Sequence, residues 1–218
     1  MIYLASRSPR RLALLEQIGI TDVRLLLDED EARAEALEAV RPKESPTQYV
    51  ERVARAKGEA AWARLVALRD TAGQAGTTDA WPLAPLLAAD TTVAVDGKIL
   101  GKPEDADDAA RILGLLSGRS HRVLSSVVVI GPSGKLRRCT QVSRVRFRRL
   151  TDDDIAGYIA SGEPFGKAGA YGIQGLAACF VRRIEGSYSG IMGLPLFETA
   201  QLLGKVGVPP VRVDGSRA

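Results

Sequence analysis

Apolar residues occur along this chain in two spacings, compact β-type runs and stripes recurring every three or four positions, so both strands and helices are predicted. Ile2 to Ala5 is a strand-like run, and Leu12, Leu14, Leu15 and Ile18 then fall on a helical stripe that Gly19 can close in a left-handed conformation. Ser8 is a favoured N-cap, and Pro9 suits the first helical position, where its missing N–H costs nothing. Val23 to Leu27 reads as a second strand and runs into a polar, charged stretch that lasts to Lys43. Ser45 and Gln48 make a capping-box pair around Pro46, which predicts a helix from there to about Val66.

Residues 67–84 are small, polar and aperiodic, and read as a surface loop. Leu86 to Val95 is apolar and β-branched and ends in Asp96-Gly97, a two-residue hairpin signal that puts Ile99 and Leu100 on the return strand. Ala109 to Leu116 reads as a helix closed by Gly118, Val123 to Ile130 and Val142 to Leu150 as strands, and Thr151 with Asp154 as the cap of a further helix. A glycine-rich stretch at 166–175, a strand near Cys179 to Ile184 and a proline-started helix over 195–203 complete the chain. Hairpins mixed with helices predict an α/β or α+β sheet. Residues 1–208 are expected to form a single domain, with 209–218 as a tail.

Composition narrows the class without fixing the function. The 218 residues are 45% hydrophobic and 26% charged, as in an ordinary globular protein, and the formal charge of +4 suits an anionic partner without naming it. The two cysteines, Cys139 and Cys179, cannot build a disulfide framework or a four-ligand zinc site. With no signal-peptide pattern at Met1 to Ser8 and no long apolar window, a cytoplasmic location and no membrane contact are expected.

Four places could carry chemistry. Ser6-Arg7-Ser8-Pro9-Arg10-Arg11 sets hydroxyls and guanidinium groups at a helix start, where free N–H groups favour phosphate; a capped helix with solvated arginines is the plainer alternative. Asp90 interrupts a strand that must be largely buried, so its carboxylate should face a metal, a cation or a polar cleft rather than stand unpaired. Lys57 shares a helical face with Val50 and Val53 and therefore either reaches inward to a cleft or acid or snorkels from the edge. Lys102, in Gly101-Lys102-Pro103 beyond the hairpin, is suggestive, and Glu31 ends an acidic run whose default reading is a solvated loop.

Other features are read as structural. Asp105, Asp107, Asp108 and Asp152 to Asp154 are first-turn helix acids. Arg144, Arg146 and Arg148 alternate on one strand face, and Val142 breaks the parity as a bulge would. Residues 131–136 lack the spacing and the Ser/Thr of a P-loop, Tyr188 stands where a nucleophile elbow needs serine, and the lone His121 makes a serine or cysteine triad improbable.

Taken in order, Ser6 to Arg11, Ala89-Asp90-Thr91, Gly101-Lys102-Pro103, Leu116-Ser117-Gly118, Lys167 to Gly175 and Gly193-Leu194-Pro195 closely resemble the motifs of the Maf family of nucleoside triphosphate pyrophosphatases. The resemblance implies an α/β fold, a mixed sheet flanked by helices with a substrate cleft between two lobes as in inosine triphosphatases, a divalent cation (Mg²⁺ or Mn²⁺), often a homodimer, and a house-cleaning role that is linked to cell-division arrest. It makes Asp90 the proton acceptor and a metal ligand, puts Lys57, Lys102 and Glu31 on the same cleft with Glu31 on the metal, and gives the phosphates to Ser6, Ser8, Arg10 and Arg11. Arg10, Thr91 and Gln174 resemble the branch that acts on dTTP and UTP. The stretch from Glu31 to Ser45 is longer than the family pattern, so Asp28 and Asp30 stand as alternatives to Glu31, and 67–84 looks expanded. Two rivals remain. A nucleic-acid-binding or division-regulating protein would use the basic strand at 144–149 but lacks an aromatic platform, aromatic residues being 5% of the chain. An enzyme for inosine-type purines fits poorly with Gln174.

Overall fold

A computed structural model of the chain describes residues 1–28, 30–77 and 80–210, with the side chains of Glu31, Ala34 and Glu35 outside that description. Seven strands form one mixed sheet: β1 (Ile2–Leu4), β2 (Val23–Leu25), β3 (Leu86–Val95), β4 (Lys98–Leu100), β5 (Ser120–Ile130), β6 (Leu136–Phe147) and β7 (Val181–Glu185). Their order is β2-β1-β3-β5-β6-β7, with β4 also on β3. The β1 pairings are parallel, and all others are antiparallel. On its outer edge β3 is covered by β1 only at Leu86 and Leu87 and by β4 only from Val93 to Val95, so among the described residues Ala88 to Thr92 have no strand on that side. The sheet opens at Asp90.

Alternation along the strands divides the core between two faces. Helix α3 (Pro46–Gln74) covers one face, packing Tyr49, Val50, Val53, Ala54, Ala61 and Leu65 on even-numbered positions of β3 and β5 such as Leu86, Ala88, Ala94, Leu124 and Val128. Odd-numbered positions face the other side and feed two separate clusters. Leu87, Ala89, Val127 and Val129 pack against α1 (Pro9–Gln17) and α7 (Leu196–Gly204), while Val93, Val95 and Val123 pack against α4 (Ala106–Leu116), α5 (Asp152–Ala160) and Tyr171. Both clusters lie on the same face of the sheet.

The helix signals hold in most places. Both bonds of the capping box at Ser45 and Gln48 are made, as are both at Thr151 and Asp154. Asp96 and Gly97 turn the hairpin with φ of 49° and 79°, both in the left-handed region that a two-residue turn requires. Ser8 occupies the N-cap of α1 but its hydroxyl makes no cap bond; the Ser8 N–H instead donates to Ser6 Oγ at 3.2 Å.

Four expectations are corrected. The first part of the stretch from 67 is not loop: α3 continues to Gln74, because Ala67, Leu68 and Arg69 are good helix formers and Leu68 packs against the Tyr3 cluster. The strand expected over 142–150 runs over 136–147, and Val142 is exposed beside Arg144 and Arg146 with no bulge; the irregularity falls between Arg146 and Phe147, opposite β7. Pro195 caps α7 rather than starting it. A short helix, α6 (Tyr188–Met192), precedes it, started by the Ser187 hydroxyl accepting the Gly190 N–H.

Candidate active site

A cleft of about 760 Å³ opens at the uncovered edge of β3. Around it lie the start of α1, the inner side of α3, the end of α6 and the loop from Gly166 to Gly175. That volume falls in the range of small-molecule sites.

The α3 face contributes an alternating chain of charges. Asp90, at an even position, turns toward α3 and is only 6% exposed, and Lys57 meets it because it shares the inward stripe of Val50 and Val53. Lys57 Nζ donates to Asp90 Oδ1 and to Glu38 Oε1, each at 2.7 Å, and Lys102 Nζ donates to Glu38 Oε2 at 3.0 Å. Burial pushes the Glu38 carboxyl up, but the charges and hydrogen bonds of Lys57 and Lys102 outweigh it and hold the group below the usual carboxylate range. It stays ionised.

Glu38 sits in irregular chain, and α3 fixes it there. Tyr49 Oη donates to the Glu38 carbonyl at 2.9 Å, while Arg52 donates to the carbonyls of Leu37 and Ala39 at 3.0 and 2.8 Å and is paired with the Glu44 carboxylate. Burial, then the Asp90 and Glu38 carboxylates, push the Tyr49 phenol far up, so it remains a hydrogen-bond donor.

The opposite face contributes the anion side. Arg11 is held by three bonds, Nε to the Gly193 carbonyl at 2.9 Å, Nη1 to Ser6 Oγ at 2.9 Å and Nη2 to Thr91 Oγ1 at 3.4 Å. Its pKa is lowered by burial, with Asp90 opposing the shift. This is no solvated helix arginine. Arg10 reaches the same cleft half-buried, beside Lys167, whose ammonium is lowered by burial and by the Arg10 charge. Gln174 lines the cleft from an exposed position.

Of the residues expected from the sequence, Ser6, Ser8, Arg10, Arg11, Lys57, Asp90, Thr91, Lys102 and Gln174 all line this one cleft. Glu31 starts α2 (Glu31–Ala36), but its side chain lies outside the described residues. Asp28 lines the cleft and is engaged by Arg64, while Asp30 Oδ1 accepts the Arg33 N–H at 3.0 Å and caps α2. The acid brought between the two lysines is Glu38, which the sequence did not single out, since a lone glutamate in an aperiodic stretch gives no signal until Tyr49 and Arg52 fold that stretch onto α3. The basic strand residues Arg144 and Arg146 are exposed outside the cleft, and Arg148 is paired with Asp154 at 2.7 Å. His121 is structural, buried with Nε2 2.8 Å from the Tyr171 hydroxyl.

Known proteins resemble the chain over nearly its whole length. Residues 1–206 match the family described as Maf-like protein. A dTTP/UTP pyrophosphatase of Ralstonia nicotianae is 57% identical over 207 residues, covering 95% of this chain and 94% of its own. One from Cupriavidus metallidurans is 55% identical over 208 residues, covering 95% of this chain and 98% of its own. Among solved structures, a HAM1 protein from Coxiella burnetii covers 94% of this chain and 98% of its own at 16% identity, with a TM-score of 0.42, too low to bear on the site. The chain belongs to the Maf-like protein family.

Proposed function

We propose that the chain is a nucleoside triphosphate pyrophosphatase that hydrolyses dTTP and UTP to the monophosphate and pyrophosphate. The observation that carries this reading is the alternating chain Asp90–Lys57–Glu38–Lys102 in a cleft whose other wall is the Ser6 to Arg11 turn. A triphosphate needs cations along its length, and attack at the α-phosphorus needs one ionised carboxylate beside the water. The pyrimidine preference comes from the relatives, whose names specify dTTP and UTP.

In this reading Asp90, paired with the Lys57 ammonium 2.7 Å away, takes the proton of the attacking water. Lys57 and Lys102 lie where phosphate oxygens would exchange with the carboxylates they now contact, and Arg10 and the helix start hold the far phosphates. The bond from α-phosphorus to the bridging oxygen breaks, and pyrophosphate leaves.

A divalent cation fits the donor set. No group of three His, Cys, Asp or Glu side chains is gathered among the described residues, so a closed protein cage is not offered. Asp90 and Glu38 supply two carboxylates on one cleft, and Mg²⁺ or Mn²⁺ is commonly held by one or two carboxylates together with substrate phosphates and water. Such an ion, when bound, would neutralise phosphate charge and polarise the phosphorus–oxygen bonds.

We attach a cytoplasmic location and a homodimer to the same reading; no helix among the described residues is long and apolar enough to cross a membrane, and both cysteines are free. The test is a panel of nucleoside triphosphates with Mg²⁺ or Mn²⁺, scored separately for pyrophosphate and orthophosphate. One pyrophosphate per nucleotide, fastest with dTTP and UTP, is expected; orthophosphate alone, or no release from any of them, overturns the reading.

A further inference from the structure

A polar belt crosses the sheet between the two clusters of its odd-numbered face. On the α1 side, the apolar positions 87, 89, 93 and 95 of β3 are interrupted by Thr91, and 123, 127 and 129 of β5 by Ser125. Thr91 and Ser125 are register partners, Ser125 is in turn paired with Gln141 of β6, and Ser143 lies two residues beyond. Ser125 and Ser143 are fully buried. Hydroxyls replace core methyl groups at such positions without loss only when they are bonded.

Their bonds converge on α6. Ser125 Oγ donates to the Gly190 carbonyl at 2.6 Å, and Ser143 Oγ accepts the Ser187 N–H at 3.0 Å. Because the single Ser125 proton goes to Gly190, the 2.8 Å contact between Ser125 Oγ and Thr91 Oγ1 has Thr91 as donor, and Thr91 accepts in turn from Arg11. The relay therefore runs in one direction, Arg11 to Thr91 to Ser125 to Gly190, with the Gly193 carbonyl a second and weaker acceptor for Thr91 at 3.4 Å. Helix α6 is seated closely on the belt, since a Cβ at Gly190 would stand 2.8 Å from Gln141 Oε1.

With five residues, α6 is too short to hold itself in place by its own hydrogen bonds. Yet Ile191, Met192 and the Gly193 that follows form a wall of the cleft. Ser125 does not line the cleft. We infer that Ser125 is a positioning residue for substrate selection, fixing the α6 wall through Gly190 and orienting Thr91, whose hydroxyl is committed to this relay rather than to the substrate. The inference rests on the proposed reaction. Asp90, Lys57 and Glu38 lie on the other face of the sheet, so displacement of this wall alters substrate fit more than the chemical step.

The test compares Ser125→Ala, Thr91→Val, Thr91→Ser and the Ser125→Ala/Thr91→Val double variant. Steady-state pyrophosphate release is followed with UTP and ATP, and the same two nucleotides are used for ligand-induced melting shifts. In Ser125→Ala the ratio of kcat/KM for UTP over ATP should fall about tenfold through KM, with kcat within about threefold of wild type. Thr91→Val should match it, Thr91→Ser should keep the wild-type ratio because it keeps the hydroxyl, and the double variant should be no worse than the poorer single one. A folded Ser125→Ala protein with unchanged selectivity, or additive effects in the double variant, overturns the inference. If Ser125→Ala does not fold, the Thr91 pair decides, and equal selectivity in Thr91→Val and wild type overturns it. Wild-type protein that releases no pyrophosphate sinks the reaction instead, and the relay is then judged on the melting shifts alone, where equal UTP and ATP responses in wild type and variants refute it.

Discussion

Arginine 11 separates a structural from a solvated reading of the motif at Ser6 to Arg11. Replacing it with alanine removes two bonds of 2.9 Å and one weak contact of 3.4 Å, and leaves the Gly193 carbonyl without its strongest donor. Hydrogen bonds to a charged group are worth roughly 1.5–3 kcal/mol each, which sets a gross loss of about 3–6 kcal/mol. Against this stands the cost of burying the guanidinium, the same burial that lowers its pKa, and that cost is regained on truncation. A net destabilisation of about 2 kcal/mol remains, which for a chain of 218 residues corresponds to a fall in Tm of roughly 4–8 °C. Arg10→Ala is the control, because Arg10 is half-buried at the cleft mouth; its stability should stay within about 0.5 kcal/mol while KM rises. Differential scanning fluorimetry and pyrophosphate release on the two variants decide the matter. An Arg11→Ala protein that melts within about 1 °C of wild type would refute the argument and return this arginine to the solvent-facing class.

Two further outcomes are expected. Asp90→Asn should fold, since it keeps the size and a hydrogen-bond partner for Lys57, and should lose about 10²–10⁴-fold in turnover; near-wild-type pyrophosphate release would remove Asp90 from the catalytic role. Burial pushes the His121 imidazole down to about 4, so between pH 6.5 and 4 the unfolded chain binds a proton that the folded chain refuses. The stability that follows is complete above pH 6.5 and is lost as the pH falls toward 4, by roughly 3 kcal/mol at most. His121→Gln should flatten that part of a urea-melt series, and an identical pH dependence in wild type and variant would falsify the assignment.

Charge placement in the cleft also accounts for the cost carried by the fold. Asp90, Lys57 and Glu38 are each partly or fully withdrawn from water, and each is satisfied by another member of the set. Removing Lys57 takes away the ion-pair partner that Asp90 has among the described residues, so that substitution should affect stability as well as turnover, whereas Lys57 keeps one carboxylate when either acid is removed. In contrast, Lys102 is the most exposed of these four residues and among the described residues its ammonium pairs with Glu38, so its substitution should register in kinetics more than in melting.

Local chemistry made much of this protein legible from its sequence. Ser45-Pro46-Thr47-Gln48, Thr151 with Asp154 and Asp96-Gly97 act through bonds and dihedral angles within a few residues, and each forms the cap or turn it signals. The charged residue inside an apolar run, Asp90, and the lysine on an inward stripe, Lys57, were readable for the same reason: burial is written in the periodicity, and a buried charge requires a partner. What periodicity lacks is distance between segments remote in the chain. Glu38 stands between Lys57 and Lys102 only because Tyr49 and Arg52 draw an aperiodic stretch onto α3, and Ser125 meets Thr91 and Gly190 only through strand register and the seating of a five-residue helix. The continuation of α3 beyond Val66 was likewise decided by Leu68 packing against the buried cluster around Tyr3 and Leu65, a tertiary contact that outweighed a run of small and polar residues. Sequence determined which side chains had to be buried, capped or paired; the tertiary structure chose their partners, because hydrogen bonds and ion pairs depend on ångström separations that only the packed sheet and helices define.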